Sequence, residues 1–271
     1  MRWKRIGVRT PWLVMASFAA TAPAAAQIDY RNLDDERPVA TEDAYPIERY
    51  AFELTAPYRY EAEAEGSKVH LVVPEIAYGL LPNAEVGLEA PLAAVDVGSD
   101  TDWGLAGLQA FAFYNFNTES PAFPALSLRG DLSLPVGSLA GDATRFTLKG
   151  IATRTWGQTR FHLNLARSFG SEEELAAAEP ANRWAYSLAA DRTLFRQSIL
   201  LIGEVAAAEA VRGAPTEVNA TVGARYQWTP TLVLDAGITR RLRDDVGPDV
   251  ALTLGLSHAF AFRGLMPAGP R

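Results

Sequence analysis

Val250-Ala251-Leu252-Thr253-Leu254-Gly255-Leu256-Ser257-His258-Ala259-Phe260-Ala261-Phe262 is the stretch that decides the fold. Val250, Leu252, Leu254, Leu256, Phe260 and Phe262 share one parity, while Ala251, Thr253, Gly255, Ser257, Ala259 and Ala261 share the other. A period of two is the period of a β-strand, whose successive side chains point to opposite faces. Such a strand has one wholly apolar face, and no helical pattern elsewhere in the chain offers to cover it. Lipid, or a second sheet, has to do so.

Working outward, the same alternation predicts twelve strands, at residues 48–61, 70–80, 84–93, 104–116, 124–135, 143–155, 159–169, 182–194, 198–209, 216–228, 231–241 and 249–262. The apolar parity is consistent among them: Phe52 and Leu54, then Ile76 and Tyr78, Leu126 and Leu128, Leu163 and Leu165, Val222 and Tyr226, Leu234 and Ile238. Aromatics collect near strand ends, as an interfacial girdle requires. The predicted fold is all-β, a transmembrane antiparallel up-and-down barrel of about twelve strands over residues 47–263. A soluble sandwich remains the alternative, because alternation alone does not distinguish lipid from a second sheet.

The links are an independent guide. Leu81-Pro82-Asn83, Gly157-Gln158, Arg196-Gln197 and Thr229-Pro230 read as tight turns, whereas Glu63–Lys68, Val95–Trp103, Gly170–Ala181, Ala210–Pro215 and Arg243–Pro248 are longer. Short periplasmic turns and long outer loops are the habit of a membrane barrel. Asn117–Phe123 is a long link on the short side, and Gly137–Asp142 a short one on the long side.

The first 26 residues read as a cleavable export signal: Arg2, Lys4, Arg5 and Arg9, an apolar run from Trp12 to Ala20, then Ala24-Ala25-Ala26 before Gln27. Its loss would take the formal net charge from −7 to −11. An acidic exported protein argues against a nucleic-acid partner. The absence of cysteine removes disulfides and cysteine-bound metals. Residues 27–46, with Asp34-Asp35-Glu36 and Pro38, read as an extended periplasmic lead-in, and 264–271 as a tail.

The second parity carries the function. Carboxylates dominate the early strands (Glu53, Glu75, Glu85, Glu89) and cations the middle ones (Arg129 with Asp131, then Arg145, Lys149 and Arg160), with His162 and Arg225 also facing inward. The expectation is an acidic strip facing a basic strip across the lumen, either as a selectivity device or as ion pairs that only fill the interior. Arginine outnumbers lysine 19 to 2 beyond residue 26, which suits bidentate pairing with carboxylates.

A resemblance adds to this. Arg37-Pro38-Val39-Ala40-Thr41-Glu42-Asp43-Ala44-Tyr45-Pro46-Ile47-Glu48-Arg49-Tyr50-Ala51-Phe52-Glu53, with the Leu81-Pro82-Asn83 turn and Gly87, resembles the bacterial outer-membrane family labelled putative MetA-pathway of phenol degradation. The resemblance implies a barrel that passes small, often aromatic or hydrophobic molecules, and it brings no site residue with it. Gly255, Phe260 and Phe262 are similar to the C-terminal strand read by the barrel-assembly machinery. His258 and the tail after Arg263 depart from that pattern.

The function expected is an outer-membrane channel for passive passage of small solutes, partnered by outer-membrane lipid and the assembly machinery, with no cofactor and no metal. Two alternatives stand beside it: a structural or adhesive barrel without transport, and an outer-membrane hydrolase. The hydrolase would need a serine and a histidine together on the lipid-facing wall. The only histidines are His70, His162 and His258, and His258 has Ser257 on the opposite face.

Overall fold

The computed structural model describes residues 28–62, 66–97, 100–170, 182–194, 198–209, 215–243 and 246–266. The export signal, the Arg196-Gln197 turn and most of the Gly170–Ala181 and Ala210–Pro215 loops lie outside the described residues. Sixteen strand segments follow in order: β1 (Ala51–Thr55), β2 (Tyr58–Ala62), β3 (Lys68–Val72), β4 (Glu75–Leu81), β5 (Ala84–Glu89), β6 (Leu92–Val97), β7 (Asp100–Leu105), β8 (Leu108–Asn117), β9 (Ala125–Leu134), β10 (Arg145–Trp156), β11 (Thr159–Gly170), β12 (Arg183–Leu194), β13 (Ile199–Ala208), β14 (Glu217–Thr229), β15 (Leu232–Arg241) and β16 (Val250–Ala261).

These segments make twelve strands, because the first eight join head to tail in pairs. β16 shows this directly: one unbroken register pairs it with β1, from Ala51↔Ala261 to Thr55↔Ser257, and with β2, from Tyr58↔Leu254 to Ala62↔Val250. The same pairings close the sheet on itself. Every described ladder is antiparallel, and the result is one closed barrel rather than two stacked sheets. The soluble sandwich is thereby excluded. Strands β6 and β7 continue to Val97 and Asp100, so the long link expected over Val95–Trp103 is mostly strand. The first strand begins at Ala51 instead of residue 48, after Tyr50 takes a left-handed backbone with φ of 68°.

The joints between paired segments have a chemical cause. Pro57, Pro74 and Pro91 fall at neighbouring places on three consecutive strands, and proline has no N–H to give the ladder. Their carbonyls still accept from the next strand: Val73 N–H to Pro57, Ala90 N–H to Pro74 and Ala106 N–H to Pro91. Beside them the fourth strand bends at Ala106-Gly107, where φ of 133° at Gly107 is open only to glycine. A row of breaks therefore crosses four of the twelve strands, one third of the wall.

Burial is inside out. Leu88, Leu163, Leu188, Val222 and Leu254 are between 54% and 65% exposed, while Glu53, Arg129, His162 and Arg225 are 3% exposed or less. A ring of exposed aliphatic side chains around a buried polar interior is stable only when hydrocarbon surrounds it. Phe116, Phe123, Trp156, Trp228 and Phe262 are exposed at the end with the tight turns, and Trp103, Phe146 and Phe169 toward the other. No described helix is long and apolar enough to cross a membrane.

The long link at residues 118–124 is tied to the wall. Arg154 donates to the carbonyls of Pro121, at 2.8 Å, and Phe123, at 3.1 Å. Glu119 accepts from the N–H and the hydroxyl of Thr155, both at 2.8 Å. A link pinned this way can be long without being a free loop.

Candidate functional site

The expectation of an extended periplasmic lead-in is corrected by the structure: residues 28–47 turn into the barrel and occupy its lumen. Ile28 N–H donates to the carbonyl of Pro230 at the tight-turn end, and Gln227 donates to the Ile28 carbonyl at 2.8 Å. From there the chain rises, turns at Asp34–Arg37, and returns to Ile47. The polar residues of this segment are what drew it inward, since the lumen wall presents complementary groups to nearly every one.

Those groups come from all round the ring. On β13, Glu204 accepts from the N–H of Thr41 at 2.6 Å and from its hydroxyl at 2.7 Å. On β11, Asn164 exchanges two bonds of 2.8 Å with the backbone of Glu42, as a neighbouring strand would. Thr153 on β10 accepts from Ala44 N–H at 3.0 Å, and the Ala44 carbonyl accepts from Asn115 and Ser127 at 2.6 and 2.8 Å. Glu85 on β5 accepts from Ile47 N–H at 2.7 Å. Buried backbone groups have to find partners. Here side chains of the wall supply them.

Charge repeats the pattern. Arg129 reaches Glu42 at 3.1 Å, Glu89 at 2.7 Å and Asp131 at 2.7 Å, with its guanidinium 3.9 Å over the Phe111 ring. Lys149 lies 2.5 Å from Asp35 and 3.2 Å from Glu42. Arg160 joins Asp43 at 3.0 Å to Asp191 at 2.6 Å. Arg225 meets Asp34 at 3.2 Å, and Arg37 pairs with that same Asp34 and with Glu53 at 3.4 Å.

The expected strip of carboxylates bonded straight across the lumen is therefore corrected. Glu89 does pair with Arg129, but β5 and β9 both flank β8, so that pair runs along the wall and not across the lumen; Glu53 and Glu85 bond to the inserted segment, as do Lys149 and Arg160. Among the described residues no ion pair joins opposite walls directly, and the segment fills the gap between them. Glu75 lies opposite Glu89 in the β4–β5 ladder, and Arg145 stands at the outer end of β10 beside the break at Pro91 and Gly107.

Sequence reasoning missed the charged partners on the inserted segment, Asp34, Asp35, Arg37, Glu42 and Asp43, and on the wall it missed two glycines. At Gly237 an added Cβ would lie 2.8 Å from the Pro38 carbonyl, and at Gly223 it would lie 2.6 Å from the Pro38 ring. The two glycines are what lets the inserted segment approach the wall. Ile28, Leu33 and Val39 are also buried, against Leu200, Ile202 and Val233. Each such burial contributes about 1.5–3 kcal/mol, whereas buried ion pairs come close to breaking even after desolvation. Apolar contact thus anchors the segment near the tight turns, and charge sets its register.

His162 is fully buried between Thr153, whose hydroxyl lies 3.0 Å from Nδ1, and Asp191, 2.8 Å from Nε2. The Thr153 oxygen is already held by Ala44 N–H, so the row orients the inserted segment. His70 meets the Tyr58 hydroxyl and His258 the Thr231 carbonyl. The hydrogen bonds described for the three histidines go to Thr153, Asp191, Tyr58 and Thr231. Among the described residues no cluster could hold a metal ion.

The inserted segment divides the lumen into two chambers. The outer one, of about 590 Å³, has Asp35, Glu36 and Lys149 at its floor and Ala166, Ala185 and Ala206 on its walls. The inner one, of about 360 Å³, is lined by Asp29, Arg31, Glu48, Glu53 and Arg160.

No family model matches the chain, and no curated protein matches it. Solved structures do. The COG4313 outer membrane channel from Pseudomonas putida F1 is similar over 80% of this chain and 98% of its own, at 16% identity and a TM-score of 0.66. A KdgM porin in complex with disordered oligogalacturonate is similar over 76% of this chain and 99% of its own, at 14% identity and a TM-score of 0.52. The NanC porin is similar over 76% and 98%, at 8% identity and a TM-score of 0.52. At these identities the likeness is one of fold: the chain has the architecture of outer-membrane barrels.

Proposed function

We propose that this chain is an outer-membrane channel for the passive passage of small solutes, with residues 28–47 as a resident constriction. The observation that carries the reading is the pair of polar chambers on either side of the inserted segment, inside a wall whose outer face is apolar. A barrel built only for structure has no need of two chambers lined by charged side chains. Neighbouring folds that are themselves channels support the same reading. Outer-membrane lipid is the partner of the apolar band, and the assembly machinery the reader of β16.

The solute class is a finer part of the proposal. Resemblance to the phenol-degradation family suggests small aromatic or hydrophobic compounds, and the alanines on one side of the otherwise charged outer chamber support it, since small apolar side chains leave room for a flat ring. Conduction through a constriction of this kind is limited by the side chains that line it. Single-channel recording in planar bilayers, with liposome uptake of phenol and of a monosaccharide, tests the reading. Small conductance with faster phenol uptake is expected. A sealed bilayer with neither solute taken up would point to a structural barrel, and lipid hydrolysis by the purified protein would point to a hydrolase.

A further inference from the structure

Arg167 is a cation on the wrong face of its strand. Along β11 the residues 162, 164 and 168 are buried inside the barrel, while Leu163, Leu165 and Phe169 are 40–54% exposed on the membrane side. Arg167 shares the parity of the second set. It lies three residues from the outer end of β11, opposite Leu148 on one neighbour and Trp184 on the other. Its guanidinium carbon stands 4.6 Å from the Trp184 ring centroid and 5.6 Å from that of Phe169. Phe146 extends the patch, its ring 6.5 Å from Phe169.

Among the described residues Arg167 has no carboxylate and no hydrogen-bond acceptor. This is notable in a chain with 32 acidic residues against 25 basic ones. The buried cations of the lumen, Arg37, Arg129, Lys149, Arg160 and Arg225, are all paired. Stacking on aromatic faces holds the guanidinium plane and leaves its N–H edges open. Those edges are a donor fork suited to a phosphate, and the adjoining Leu148, Leu165 and Tyr186 suit acyl chains.

We propose that Arg167, with Trp184 and Phe169, is a binding site on the outer wall for the phosphate of an acylated glycolipid in the outer leaflet. The level fits the ligand: an arginine on the lipid face is costly at the membrane midplane but costs only about 0–1 kcal/mol near the interface. Phosphates of the outer leaflet lie at that interface. Charge complementarity supplies the attraction, and the aromatic rim supplies the orientation.

The test is native mass spectrometry of the full barrel in a neutral maltoside, titrated with diphosphoryl lipid A. Variants R167A, R167K and R240A are compared, each first shown to keep the mobility shift between unboiled and boiled samples. Arg240 faces outward near the same rim but has no aromatic partner among the described residues, so it reports general attraction. We expect R167A to weaken binding by about tenfold or more, R167K to weaken it less, and R240A to change it by less than about twofold. Dephosphorylated lipid A is expected to bind like diphosphoryl lipid A binds R167A. Equal affinity of R167A and the parent protein would overturn the site, as would an equal loss in R240A. Displacement of the lipid by an equal concentration of inorganic phosphate would show a free-anion site and overturn the lipid assignment.

Discussion

The middle of the lumen and its outer chamber are lined by the same strands, yet they are built in opposite ways. At the middle level the inward side chains are long and charged, Arg129, Lys149, Arg160 and Glu204, and each meets a group on residues 28–47. A few residues further along the same strands they shrink to Thr147, Ala166, Ala185 and Ala206, and no described residue fills the space beside them. The difference teaches that the constriction is an assembly of wall and inserted segment together, whereas the width of the chamber is set by side-chain size alone.

Removing the inserted segment attacks the comparison most directly. Deletion of residues 28–47 should raise single-channel conductance several-fold, because the middle level would then be as wide as its wall allows; unchanged conductance would mean the segment is not the constriction. Next in size is the loss of Arg129. With Glu42, Glu89 and Asp131 all within 3.1 Å of it, R129A leaves Glu89 and Asp131 without a cation among the described residues, Glu42 keeping Lys149, and should cost about 3–5 kcal/mol in urea unfolding followed by tryptophan fluorescence. Adding Glu89→Gln should recover part of that loss, since Arg129 is the only cation paired with Glu89 among the described residues and one uncompensated charge is then gone. If the double variant is no better than the single one, the pair is not what Arg129 balances.

A smaller effect is expected at Gly237. Gly237→Val places side-chain atoms against the Pro38 carbonyl, 2.8 Å from even the first added carbon, and overpacking of this kind costs about 1–3 kcal/mol. The segment should yield before the wall does, so limited proteolysis within residues 28–47 should speed up while the barrel stays heat-modifiable. The smallest effect belongs to the chamber. Ala206→Leu adds bulk to open space, so stability should move by no more than about 0.5 kcal/mol while conductance falls modestly. A loss of several kcal/mol there would show the chamber to be packed and would erase the contrast.

Much of the wall was legible from periodicity. Which parity faces lipid, which faces the lumen, and the number of strands all follow from alternation in stretches such as Val250–Phe262, because a pleated strand shows each face every second residue. The proline row was readable as three separate prolines, but its alignment across neighbouring strands needed their register. Within the site, the inward direction of Glu53, Glu85, Glu89, Arg129, Lys149, Arg160, His162 and Arg225 was likewise legible, and their partners were not.

By itself, then, the sequence determined an all-β wall with an apolar outside and a charged inside, since that much is local: each residue's face depends only on its place along its own strand. Only the tertiary structure decided that residues 28–47 enter the lumen, that Asp35, Glu42 and Asp43 take up Lys149 and Arg160, which were expected to pair across the barrel, and that Gly223 and Gly237 make room for Pro38. Those facts join residues more than a hundred positions apart. Such contacts are set by the closed ring's diameter and by the need of every buried polar group for a partner, neither of which is written in the spacing of any one strand.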